Sequence, residues 1–272
     1  MRFNYWMTIV AIGVMVTSCR KNNNDPGPGP IPAEPVLLKE IVIPNLPSPY
    51  YHLTYNTSNR VTNISFASGF RMYDVVYNGG RITEVANNTA ANKDRLQYQY
   101  DGTGKPAIIT YIDKEGREFR RCFLTYTGNR LRLAEWERKV NAGFAAERTV
   151  SFVYQPDGNL LEMTNHLHPV NGQVEATYVS KFEQYDDKLC TEDFTLLHEN
   201  DDHLVWLPGV WFQKNNPGKL IFSGDGGGFK IDYTYTYNDK NAPLIKNGQA
   251  EFTAGPNTGQ RWQVHHFYSY YP

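Results

Sequence analysis

Cysteine is nearly missing from this sequence: Cys19, Cys122 and Cys190 are the only three in 272 residues. That excludes a disulfide-stapled scaffold. Cys19 has an explanation of its own, which leaves one pair, Cys122 with Cys190. Both fall in expected strands, and we read them as two buried free thiols rather than a bond. An excess of either charge is also missing, since the formal net charge is −1 at pH 7. A nucleic-acid partner would call for a basic surplus, so that class is set aside. No apolar run is long enough to span a bilayer as a helix. No GxSxG, CxxC or HExxH motif occurs, and no calcium-loop spacing, so neither a nucleophile nor a cofactor is expected. Long amphipathic helical periodicity is missing too.

What is present begins with an apolar run from Trp6 to Val16 behind the charge of Arg2, closed by the small residues Thr17 and Ser18. This is the pattern of a secretory signal peptide, assigned to residues 1–18. Val16-Thr17-Ser18-Cys19 resembles a bacterial lipobox, and the resemblance implies that Cys19 is lipidated and becomes the mature N-terminus. Residues 19–35 form the lipidated Cys and a tether rich in Asn, Pro and Gly, too poor in apolar side chains to fold. Arg20 and Lys21 differ from the Asp that retains lipoproteins at the inner membrane. The resemblance therefore implies an outer-membrane lipoprotein, on its periplasmic or surface face, with the membrane as a partner through the anchor.

Residues 36–272 carry a repeat. Its clearest copy is Ile231 to Leu244, where Ile231, Tyr233, Tyr235 and Tyr237 alternate with Asp232, Thr234 and Thr236 ahead of the turn Asn238-Asp239-Lys240-Asn241. Aligned copies place Tyr55, Tyr77, Tyr100, Tyr126, Tyr154, Tyr185, Phe212 and Tyr237 before a turn, at spacings from 22 to 31 residues. Period-two alternation before each turn predicts a strand with one covered face, and Asn, Asp and Gly supply the positive φ of tight turns. Phe182 sits three residues before Tyr185 and breaks the alternation, which predicts a bulge or a slipped register. Asn141 to Glu147 is expected as a longer connection or one helical turn. The fold class follows: all-β, an antiparallel meander of about eight hairpins and some sixteen strands in one large curved sheet, half-pipe or barrel-like.

The unit Tyr-x-Tyr-Asn/Asp, turn, Gly/Asn-Arg/Lys, aliphatic resembles the YD repeat of Rhs-type proteins and of similar hairpin-bearing lipoproteins of Gram-negative bacteria. The match covers most of Tyr50 to Leu244. It departs in the Gly-Arg-Leu consensus, which only Gly80-Arg81-Ile82 approaches. It implies a β-shell and offers no catalytic residues. The chain is expected to be too short for a closed shell and to have no separate cargo domain, so the family's cargo-enclosing function does not carry over.

Four stretches could carry chemistry. His198, Glu199, Asn200, Asp201, Asp202 and His203 offer metal-ligating types, with His198, Asp201, Asp202 and His203 the weak candidates. A hydrophilic loop gives the same composition, and no metal is assigned. Gly224 to Gly228 reads as a hairpin tip, because no helix follows to complete a phosphate cradle. Trp206, Trp211 and Phe212 stack on sugars or anchor a partner if exposed, and fill a core if buried. The last strand, Arg261 to Tyr271, is aromatic on both faces and is expected to be interior, with His265 and His266 pointing oppositely. Two functions follow: a non-enzymatic binding or scaffolding lipoprotein for a glycan or envelope protein, or a polysaccharide hydrolase using carboxylates on the concave face. An integral outer-membrane barrel fits the alternation but not the charges at Arg132 and Glu135.

Overall fold

The computed structural model describes residues 34–89, 92–141 and 143–272. The assigned signal peptide, Cys19 and the tether as far as residue 33 lie outside the described residues. Val36–Pro272 form one compact unit.

Period-two alternation becomes sixteen antiparallel strands. They are β1 (Leu38–Val42), β2 (Tyr51–Tyr55), β3 (Val61–Phe66), β4 (Arg71–Asn78), β5 (Arg81–Asn87), β6 (Arg95–Tyr100), β7 (Pro106–Ile112) and β8 (Glu118–Thr127). Then come β9 (Arg130–Val140), β10 (Gly143–Tyr154), β11 (Leu160–Leu167) and β12 (Ala176–Glu183), the short helix α1 (Thr195–His198), and β13 (Lys219–Gly224), β14 (Gly227–Tyr237), β15 (Pro243–Ala254) and β16 (Arg261–Tyr270). Each strand pairs with the next, and β16 pairs back to β1, Ile41 opposite Tyr268, so the sheet closes into a barrel.

The register separates two environments one residue apart. Val75, Val85, Leu96, Tyr111 and Arg120 are successive partners and all are buried. One position on, Val76, Glu84, Gln97, Thr110, Arg121 and Glu137 run along the outer face. Further round, outer-face ion pairs join Lys181 to Glu162 at 3.6 Å and Arg261 to Glu251 at 3.0 Å. A lipid-facing barrel needs an apolar outer band and tolerates a polar lumen. Here the order is inverted.

The repeat explains itself at one rim. Arg60 lies over the ring of Tyr77, Arg81 over Tyr100, Lys105 over Tyr126 and Arg130 over Tyr154, each basic residue belonging to the preceding hairpin. The Tyr hydroxyl donates to the start of the preceding return strand: Tyr100 to the Ile82 carbonyl, Tyr154 to Leu131 at 2.8 Å each, Tyr185 to Leu160 at 2.7 Å. Asn56, Asp101 and Asn238, each following a repeat Tyr, close their own turns, Asp101 Oδ1 accepting from the backbone N–H of Thr103 and Lys105. Gly80, at φ +87°, leaves room for Arg60: a Cβ there would stand 3.1 Å from its guanidinium.

A barrel of sixteen strands is wide enough to leave an open lumen. This one is filled by the β12–β13 connection, Gln184 to Gly218, which folds inward. Leu197, Leu204, Val205 and Phe212 from this plug join the inward side chains Ile64, Tyr73, Tyr111 and Trp136 in one core.

Several expectations change. Tyr185 and Phe212 do not head two hairpins; they bracket one hairpin split by the plug, and the eighth unit is the closing β16–β1 pair, where the Tyr270 hydroxyl donates to the Pro243 carbonyl at 2.6 Å. The irregularity at Phe182 is not a bulge: β12 ends at Glu183, and Gln184, at φ 58°, turns the chain into the lumen. Gly143 to Glu147 form no helical turn, because β10 begins at Gly143 and runs through them. Cys122 and Cys190 are buried free thiols, though Cys190 lies in the plug and not in a strand. The last strand is interior on one face only: Tyr268 is buried while Phe267 is exposed. Gly224 and Gly227 pair across a tight hairpin tip, as read from the sequence.

Candidate functional site

The plug is held at the rim where the repeat tyrosines stand. Asn159 Oδ1 accepts the backbone N–H of Lys214 at 2.9 Å and of Asn215 at 3.0 Å. Asp186 Oδ1 accepts that of Lys188 at 2.9 Å and of Asn216 at 3.0 Å. The Tyr237 hydroxyl also bonds the Asp186 carboxylate.

Between this plug and β1–β4 lies a cavity of about 330 Å³, apolar on most of its wall, lined among others by Leu53, Val61, Phe194, Trp206, Trp211 and Phe212. The three aromatic candidates occupy three different depths. Phe212 is buried, its ring 4.9 Å from that of Phe152. Trp206 is half-buried, its backbone N–H donating to the Tyr98 hydroxyl at 3.1 Å and its ring 5.5 Å from Phe194. Trp211 is 54% exposed. In the same wall Asp193 accepts the Phe212 backbone N–H at 3.1 Å. Burial drives its carboxyl up to about 7, against the backbone donors that favour the charged form.

The candidates around His198 diverge. His198 Nδ1 meets the Tyr51 hydroxyl at 2.9 Å. Asp201 takes Arg120 Nη1 on one oxygen at 2.8 Å and the Tyr111 hydroxyl on the other at 3.0 Å, and Tyr111 in turn accepts from Trp136 Nε1 at 2.8 Å. The Arg120 guanidinium keeps Asp201 well ionised despite burial. His203 Nε2 faces Asp94 at 3.2 Å. Asp202 is exposed, and its backbone carbonyl accepts from Arg71. Among the described residues, no group of three or more His, Cys, Asp or Glu stands where it could hold a metal ion. Asp201 instead completes a buried ionic bridge, because Arg120 also pairs with Glu147, which pairs with Arg138.

Sequence reasoning missed the charged residues inside the barrel. Arg120 shares the alternation of Cys122, Leu124 and Tyr126, and Lys246 shares that of Gly248 and Ala250, so parity placed both inward. Their partners Asp201 and Glu192 come from the plug, which no periodicity announces. The lumen does gather acids, but Glu192 is taken up by Lys246, by His266 at 3.4 Å and by the Tyr268 hydroxyl at 2.7 Å. It is not a free partner for a two-carboxylate hydrolytic pair.

Fold and rim together define a plugged antiparallel β-barrel with an apolar interior, a polar outer wall and a mouth built by its own plug. No family model matches the chain, and no curated protein matches it. Among solved structures it is similar to a porin-like protein from Bacteroides uniformis, with 13% identity and a TM-score of 0.58 over 87% of this chain and 95% of that one. At that identity the likeness is one of fold. The TcdB2-TccC3 complex without its hypervariable C-terminal region aligns at 15% identity and a TM-score of 0.29, covering 78% of this chain and 13% of that one.

Proposed function

We propose that the chain is a non-enzymatic binding lipoprotein of the cell envelope, anchored through lipidated Cys19 to the outer membrane, which takes a glycan at the rim cavity. The observation that carries this is Trp211, 54% exposed at the mouth of an apolar cavity whose wall includes Trp206. A large exposed indole beside such a cavity offers a flat face to the apolar side of a sugar ring. The charged outer wall supports a tethered barrel standing in water. The porin-like description of the Bacteroides uniformis neighbour supports an envelope setting. The YD-like repeat supports a structural rim, with function carried by the plug.

The test is a glycan array probed with the protein and with Trp211→Ala. A specific glycan signal lost in the variant, at unchanged thermal unfolding, is the expected result. A signal equal in both, or no glycan signal beside an envelope protein captured by both, overturns the glycan reading.

A further inference from the structure

His166 and His168 stand on the outer wall, away from the plug and its cavity. His166 is on β11, with the outward parity of Glu162, and His168 follows one residue past the strand's end. A single residue separates the two, so the alternation of extended chain turns both rings to one side. Their ring centres are 4.5 Å apart and their planes cross at 81°. The His166 side chain is 31% exposed, so an ion from solvent can reach it.

Each ring is held by a threonine of a neighbouring strand. His166 Nδ1 meets Thr177 Oγ1 on β12, and His168 Nε2 meets Thr149 Oγ1 on β10, both at 2.9 Å. With each hydroxyl accepting the ring N–H it meets, the lone pairs fall on the other nitrogens, Nε2 of His166 and Nδ1 of His168. The backbone of His168 is fixed as well. Its N–H donates to the Glu147 carbonyl at 2.9 Å, and its carbonyl accepts from Gln173 Nε2 at 2.8 Å. An exposed carboxylate, Glu175, places one oxygen 3.4 Å from His166 Nε2.

We propose that His166 and His168 chelate one copper(II) ion, with Glu175 adding negative charge beside it and water completing the coordination. The ring spacing carries the choice of ion. A nitrogen bound at about 2.0–2.1 Å puts its ring centre about 3.2 Å from the metal. Two such rings at a right angle about the ion have centres about 4.5 Å apart, and at a tetrahedral angle about 5.2 Å. The observed spacing is that of the right angle, which suits tetragonal copper(II) rather than tetrahedral zinc. The two threonines are the outer partners that a ligating imidazole uses to fix its tautomer. Two protein ligands leave the ion open to water and exchangeable, unlike a structural site closed by four. Protons compete for the same lone pairs, so acid displaces the metal.

The experiment is titration of the protein with copper(II) chloride, followed by calorimetry and by electron paramagnetic resonance. One ion per chain is expected, with a tetragonal signal split by two nitrogens, and with affinity falling as pH is lowered from 7 to 5. His168→Gln should weaken copper at least tenfold and reduce the splitting to one nitrogen. Thr149→Val keeps both imidazoles and frees the His168 ring, and should weaken copper about tenfold while the two-nitrogen signal persists. His265→Gln, whose ring nitrogen meets Asn247 at 2.8 Å on other strands, should change neither quantity. Equal thermal unfolding of the variants keeps the comparison on the site. No stoichiometric copper binding, a two-nitrogen signal retained in His168→Gln, or an equal loss in His265→Gln would each overturn the proposal.

Discussion

Arg81 lies over the ring of Tyr100, its guanidinium carbon 5.3 Å from the ring centre, although the two belong to successive hairpins. Tyr100 returns the contact one residue along, its hydroxyl 2.8 Å from the carbonyl oxygen of Ile82. At Tyr100 and Tyr154 the repeat is therefore a joint: the hairpin is clasped to the one before it by a ring under a cation and a hydroxyl on a carbonyl.

Tyr100→Phe keeps the ring and removes the hydroxyl. It should lower unfolding free energy by about 1 kcal/mol, the usual worth of one such bond. Arg81→Ala should cost about 0.5–1 kcal/mol. Urea unfolding of the two single variants and the double reads both costs, and a coupling near zero would mean that the two contacts act independently.

Two neighbouring plug residues should behave oppositely. Phe212→Ala empties a site packed against Phe152 and should destabilise by about 3–5 kcal/mol. Trp211→Ala should change stability by less than about 0.5 kcal/mol, because the ring is largely in water. Thermal denaturation of the pair decides whether the plug is core at one residue and surface at the next.

Arg120 holds two buried carboxylates, Glu147 and Asp201. Arg120→Met strands Asp201 and leaves Glu147 with Arg138 alone, with an expected loss of about 3–5 kcal/mol. Adding Asp201→Asn removes one stranded charge and should recover part of it. Failure of the double change to recover anything would show that packing, not charge, dominates the bridge.

Stability should depend on pH through Asp193. Its carboxyl sits near 7 in the fold, while the same group in an unfolded chain titrates near 4. Between those values the native state holds a proton the unfolded state has lost, so this group's contribution falls as pH rises through the window and is flat above it. His198, kept neutral by burial down to about 4, acts oppositely between about 4 and 6.5. Asp193→Asn should therefore gain on the parent protein as pH rises from 4 to 8. Melting temperatures across that range are the measurement, and parallel curves would refute the assignment.

Cys19→Ser should move the protein from the membrane fraction to the soluble fraction without detergent. Among the described residues the outer wall carries Glu84, Arg121, Glu137 and Lys181, charges that a lipid-facing band disfavours. Mass spectrometry of the parent protein should find acyl chains on Cys19. An unmodified mature N-terminus would remove the anchor from the account.

Strand order and the rim turns were legible because they are written locally, in the alternation before Tyr77 or Tyr126 and in the Asn, Asp and Gly that follow. Even the failures at Tyr185 and Phe212 have a local cause: both carry a turn signature, and only the burial of what lies between them shows that the turn is split. The lumen was not legible. Arg120, Asp201, Glu147, Lys246 and Glu192 are brought together by closure of the ring and inward folding of the plug, and such distances are not set by neighbours in sequence. Trp206, Trp211 and Phe212 were grouped by proximity along the chain, yet the plug's path puts one in the core, one in a wall and one in water.

The seam of the barrel joins Leu38–Val42 to Phe267–Tyr270, the first and last strands. Until β16 arrives, β1 and β15 are both raw edges open to a neighbouring chain. A chain lacking β16 should therefore be prone to aggregate through those edges.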